Sequence, residues 1–134
     1  MKCTGNEENI WKVKGNITNS AGNLCLHLIG NLNTYIGNEI SKNGYVRNRE
    51  SEFSIRNIPK AELLDKIDNT IDVINVAIHN LNESDLDLEF PILVFDEKTS
   101  VTYLLMHLTT HLTYHLGQIN YHRRFIDIYK KLWF

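Results

Sequence analysis

A chain of 134 residues with 43% hydrophobic and 22% charged side chains has the length and balance of one globular domain with its own core. A net charge of −2, with acidic and basic residues interspersed, excludes the concentrated basic face that nucleic-acid binding requires. No apolar run approaches the ~18 residues needed to span a bilayer, and the residues after Met1 lack the apolar core of a secretory signal, so no membrane partner and a cytoplasmic location are expected.

Residues 1–18 hold Asn9-Ile-Trp-Lys-Val-Lys, too short a pattern for a full helix. The first helix is predicted from about Ser20 to Ser41, with Thr18 or Asn19 as N-cap and Leu24, Leu28, Leu32, Tyr35 and Ile36 on one face. Asn23, Asn31, Asn33 and Asn38 are poor helix formers, so tertiary packing must hold this segment. Lys42 to Ile58 reads as a loop rich in Gly, Asn and charge.

Pro59 suits the first turn of a second helix that runs to about Leu81, with Leu63, Ile67, Ile71, Ile74 and Ile78 predicted to face inward. His79, near its end, reads as a favourable charge or cap at a C-terminus. In the connection that follows, Glu89-Phe-Pro-Ile-Leu-Val-Phe95 can form a short strand that Pro91 would confine to an edge. A third long helix starts near Thr99 or Ser100 and continues toward Tyr129. Three helices make an incomplete bundle, and a second copy of the chain is the simplest cover for the remaining apolar surface. Cys3 and Cys25 form no metal or redox motif; Cys3 reads as part of a terminal tail and Cys25 as packing.

The informative pattern lies on the last helix. At 100° per residue, Leu104, His107, Leu108, His115, Gln118, His122, Phe125, Ile126 and Tyr129 fall within about 60° of His111. Four histidines and a glutamine thus occupy a stripe where Leu or Ile would be expected. His111 and His115 stack one turn apart, the spacing by which a helix offers two nitrogens to one metal. Three readings stand: a metal site, a hydrogen-bonded polar core, or a histidine-lined dimer seam. Each buried imidazole nitrogen left unpaired costs about 1–3 kcal/mol, which a metal would relieve. A third ligand must come from another helix, and His27 is the candidate, although its line, with Ser20, Asn23, Asn31 and Thr34, can equally face water.

Ser20-Ala-Gly-Asn-Leu-Cys-Leu-His27-Leu-Ile-Gly-Asn31-Leu together with His111-Leu-Thr-Tyr-His115-Leu-Gly117-Gln118-Ile resembles the DinB-like superfamily. The resemblance covers the chain from about Asn9 onward, and Arg47-Asn-Arg49-Glu50-x-Glu52-Phe53 resembles a segment of one uncharacterised branch. It implies an all-α, up-down-down-up four-helix bundle, here a single domain with its first helix short or missing and completed by dimerisation. It also implies that His27, His111 and His115 ligate a divalent metal, zinc or nickel first, with iron and manganese as alternatives. His107, His122, Gln118, Asn31, Arg47 and Arg49 are then expected to line or support the site, the two arginines as binders of an anionic co-substrate. A general base stays unassigned among His122, Tyr114 and Glu50. Characterised members of the superfamily include thiol-dependent S-transferases and a thiol-dependent isomerase, so the implied reaction joins a low-molecular-weight thiol to a small electrophile. Metal-dependent hydrolysis, or a non-catalytic metal- or ligand-binding dimer, are the other expectations, since function does not follow from fold.

Overall fold

The computed structural model describes residues 6–127. A 3₁₀ turn, Glu7–Trp11, leads into α1, Ala21–Leu32, whose axis continues as a π-helical stretch, Asn33–Asn38. Then come the short α2, Arg49–Ser54, and the long α3, Lys60–Asn80. A single 3₁₀ turn, Glu83–Asp85, precedes α4, Val101–Ile126. The fold is all-helical among the described residues; Glu89 and Ser100 form one isolated bridge where an edge strand was expected. None of the described helices is long and apolar enough to cross a membrane.

Helix starts follow local chemistry. Ser20 caps α1, its hydroxyl accepting from the Asn23 N–H, so the cap lies one residue beyond the predicted Asn19. Ser100 caps α4 by accepting from the Tyr103 N–H, as the sequence suggested. Pro59 sits just outside α3, and the helix begins at Lys60. Asp127 ends α4, while the expected continuation to Tyr129 and the Cys3 tail lie outside the described residues.

α1 is the central element, packed against α2, α3 and α4. One core cluster joins Leu32 and Ile36 to Ala77, Phe90, Val101, Leu104 and Leu108. A second, smaller one joins Trp11, Leu26 and Leu63. Trp11 lies flat against α1 at Gly22, where any side chain would collide with the indole. Its Nε1–H donates to the Ile58 carbonyl at 3.3 Å. The N-terminal turn is also stapled to the end of α4: the Asn9 amide donates to Asp127 at 3.0 Å and His122 Nε2 to the Lys12 carbonyl at 2.8 Å.

The buried face of α3 is Leu63, Thr70 and Ala77, with Ile67 and Ile74 half-buried. Ile71 and Ile78, predicted to face inward, are exposed at 48% and 49%. The reason is rotational. Thr70 turns toward α1 because its hydroxyl accepts from the Asn33 amide at 2.9 Å, which leaves Leu64, Ile71 and Ile78 as an apolar stripe on the open side. α3 and α4 flank α1 with little direct contact between them. The groove they leave contains a cavity of about 260 Å³ with Ala21 and Cys25 on its floor, Leu63, Leu64 and Ile67 on one wall and Ile119 on the other. Burial pushes the Cys25 thiol up to about 11, in keeping with a packing role.

Candidate metal centre

His27 projects from the second turn of α1, and His111 and His115 from successive turns of α4 where that helix crosses it. His111 Nε2 lies 3.3 Å from His27 Nε2 and 3.1 Å from His115 Nε2. The three side chains offer ligand atoms within 4.8 Å of one another. His27 is buried and the other two are half-buried.

The outer nitrogens decide what the inner ones can do. His27 Nδ1 lies 3.2 Å from Glu52 Oε1, and His115 Nδ1 lies 2.7 Å from Gln118 Oε1. The Gln118 amide is oriented by its own N–H, which donates to the Tyr114 hydroxyl at 3.3 Å. Carboxylate and amide oxygens only accept, so both contacts call for a proton on Nδ1, which leaves each Nε2 a lone pair. At His27 the donor Arg47 Nη2, also 3.2 Å from Nδ1, competes, and the charge on Glu52 favours the protonated Nδ1. Two bare lone pairs therefore converge on His111 Nε2, which can offer at most one proton to one of them. Bonds of about 2.0–2.1 Å to a shared cation place neighbouring nitrogens roughly 2.8–3.4 Å apart in octahedral or tetrahedral shells. The two spacings to His111 fall in that range, and three imidazole nitrogens suit a divalent transition metal.

Electrostatics agree. Burial pulls His111 down to about 4, helped by His115, His27, His107 and Arg47. Burial also lowers His27, against the opposing pull of Glu52. Both imidazoles are thus neutral at pH 7, the state in which a ring nitrogen can ligate.

Glu52 is the residue that sequence reasoning missed as part of this cluster. Lys42 to Ile58 was expected to be a loop, but Asn48 caps a six-residue helix by accepting from the Ser51 N–H, and that turn carries Glu52 inward to 5% exposure. Asn23 anchors the helix to α1, its amide donating to the Glu52 and Ile55 carbonyls at 2.9 Å each. The Phe53 ring packs 5.2 Å from that of His27. The available signal was Asn48 as an N-cap residue, with the acidic Glu50 and Glu52 in the first turn.

The remaining expected residues fall at different distances from the cluster. Arg47 reaches it, but as the partner of Glu52, with Nε to Oε2 and Nη2 to Oε1 both at 2.8 Å. Arg49 and Glu50 are exposed on α2. Gln118 and Tyr114 connect to His115 as described. His107 stacks on His111 at 6.2 Å and meets the Phe95 ring edge-on at 4.7 Å. Asn31, one turn beyond His27, is buried with its carbonyl oxygen unpartnered. His122 is buried and holds the Lys12 carbonyl, which assigns it to tethering the N-terminal segment. Beside His115, Asn16 to Asn19 and the α4 residues Tyr114, Gln118, Tyr121 and His122 border a cleft of about 760 Å³.

An all-helical core in which histidines from two helices bring their Nε2 atoms together defines a class: helical proteins with a candidate three-histidine metal site. The chain belongs to a DinB-like family described as protein of unknown function (DUF1572), whose model matches residues 2–132. Comparison with curated proteins and with solved structures finds no match.

Proposed function

We propose that this chain is a divalent-metal-dependent enzyme, its ion held by His27, His111 and His115, and that it transfers a low-molecular-weight thiol to a small electrophile. The observation that carries the metal is the approach of His27 Nε2 and His115 Nε2 to His111 Nε2, at 3.3 and 3.1 Å, with the outer nitrogens of His27 and His115 against the acceptors Glu52 and Gln118. The thiol chemistry rests on the likeness of the His27 and His111-x-x-x-His115-x-Gly117-Gln118 segments to thiol-transferring members of the superfamily. Zinc or nickel is the proposed ion.

When bound by three neutral imidazoles, a divalent cation keeps its full charge and supplies the Lewis acidity that favours a thiolate at neutral pH. The protein's own residues do the rest. Glu52 and Gln118 keep protons on the outer nitrogens of His27 and His115. The cleft beside His115 receives the electrophile, with the amides of Asn16, Asn19 and Gln118 and the hydroxyls of Tyr114 and Tyr121 as its polar lining. In the transfer a sulfur–carbon bond forms as the bond from that carbon to its leaving group breaks. The leaving group takes the electron pair, and the thiol proton passes to solvent.

Metal content per chain, by mass spectrometry, tests the first half: near-stoichiometric metal in the wild type and its loss in His27→Ala, His111→Ala and His115→Ala. Turnover of monochlorobimane with a small thiol, abolished by His115→Ala, tests the second. Persistent absence of metal after incubation with zinc or nickel would overturn the whole reading. Turnover that survives His115→Ala would overturn the catalytic part.

A second copy of the chain is the proposed occupant of the groove between α3 and α4. The groove is lined by Leu63, Leu64 and Ile67 on one side and Ile119 on the other, and Ile71 and Ile78 extend this apolar surface along the open side of α3.

A further inference from the structure

We propose that Glu52 is a positioning residue, whose carboxylate fixes the orientation and tautomer of His27 so that Nε2 is the ligating atom. The proposal rests on the metal reading above and deepens it, giving α2 a purpose beyond closing a loop. Taking a carboxylate out of water is costly unless it is paired and hydrogen-bonded, and at 5% exposure Glu52 is both. Arg47 grips it side-on through two parallel bonds of 2.8 Å, the strongest geometry for such a pair.

An ion pair between Arg47 and Glu52 could hold the loop without touching α1. Two features show that the pair is built around His27. Oε1 is shared: it accepts from Arg47 Nη2 at 2.8 Å and lies 3.2 Å from His27 Nδ1. Arg47 Nη2 also lies 3.2 Å from Nδ1, and a guanidinium can only donate, so it competes for Nδ1 as an acceptor. Its bond to Oε1 is shorter at 2.8 Å, and the negative charge of the carboxylate favours a proton on Nδ1. The second feature is Gly30. It faces Glu52 Oε2 so closely that a Cβ there would collide with the carboxylate. The surface of α1 is thus cut away one turn after His27 to admit the acidic group.

Fixing the tautomer matters because a free imidazole divides its proton between two nitrogens, and only the unprotonated one can ligate. A carboxylate on Nδ1 removes that choice, orients the ring, and makes Nε2 a better donor. Gln118 does the same for His115 with a neutral oxygen. His111 has no such partner, since its Nδ1 is buried and unpaired. Of the three, His27 is therefore the one held by a full negative charge.

The test uses the ¹⁵N-labelled full chain. Long-range ¹H–¹⁵N correlation spectra of the metal-free protein read the His27 tautomer directly, with no metal or turnover needed. The wild type is expected to show His27 as the Nδ1–H form alone. Glu52→Gln, close in shape, is expected to give a mixture of tautomers and roughly 10- to 100-fold weaker zinc binding. Gly30→Ala, which leaves Glu52 in place but crowds it, is expected to act in the same direction. A wild-type His27 in the Nε2–H form would overturn the proposal, whatever the variants do. So would a Glu52→Gln protein with unchanged tautomer and unchanged zinc affinity; the metal reading would survive that result. If the wild type holds no metal yet Glu52→Gln shifts the tautomer, the positioning role stands and the metal reading falls.

Discussion

The inward face of α4 changes character along its length. Its first turns present Val101, Leu104 and Leu108 to the larger core cluster, and Leu104 is wholly buried. Farther along, the same face presents His111, His115 and His122. The apolar half needs only shape, and its neighbours Leu32, Ile36, Ala77 and Phe90 supply it. The polar half needs hydrogen-bond partners, and it finds them on α1, on α4 itself and in the backbone at Lys12, while the Nδ1 atoms of His111 and His122 have none. One helix thus carries the stability of the domain at one end and a preorganised cluster of donors and acceptors at the other.

Substitution at each end should break this contrast in opposite ways. The largest expected effect is at the polar end: His111→Leu removes the shared nitrogen, and bound metal per chain should fall from near one to none by mass spectrometry. The metal-free variant should be at least as stable as the metal-free wild type in urea, because an unpaired buried nitrogen, which costs about 1–3 kcal/mol, is gone. A large loss of stability would mean that His111 is a structural core residue.

At the apolar end, Leu104→Ala should cost about 2–5 kcal/mol in urea unfolding while the folded fraction keeps its metal stoichiometry. Loss of metal with little loss of stability would erase the division between the two halves.

Acid should sharpen the same division. His111 takes up a proton near 6.5 in an unfolded chain and near 4 in the folded one. Between those values the unfolded state binds the extra proton, so stability rises with pH across this window and is lost as pH falls from about 6.5 toward 4. His27, lowered by burial, contributes with the same sign. Thermal melts of the metal-free protein should show this slope, and His111→Leu should flatten it.

The smallest effect is expected on the open side of α3. Ile71→Glu places a charge on the exposed apolar stripe, and light scattering should report a dimer for the wild type and a monomer for the variant, with the helical content unchanged. A concentration-independent wild-type monomer would rule out the second copy as the occupant of the groove.

Much of this was legible in the residues. The long helices follow from apolar spacing and from Pro59 and Ser100, and the inward turn of His111 and His115 follows from their place among Leu104, Leu108 and His122. Whether His27 faced water or α4 could not be read from its own helix, because the answer depends on Glu52 and on where α4 crosses. Glu52 itself was hidden, since a six-residue helix has too few positions for a periodic pattern to show. The rotation of α3 was missed for a related reason. Its isoleucines allow two inward faces, and a threonine hydroxyl bonded to Asn33 on another helix selects between them.

His27 and His111 are 84 positions apart, yet their ring nitrogens lie 3.3 Å from each other. A cation joining them would act as a clasp on a loop that contains α2, α3 and the start of α4. Opening that loop would then require the ion to leave first, so the lifetime of the folded chain would follow the metal's off-rate. In a denaturant concentration that unfolds the metal-free chain but not the metal-bound one, a chelator would work as a timer, with unfolding running at the pace of metal release.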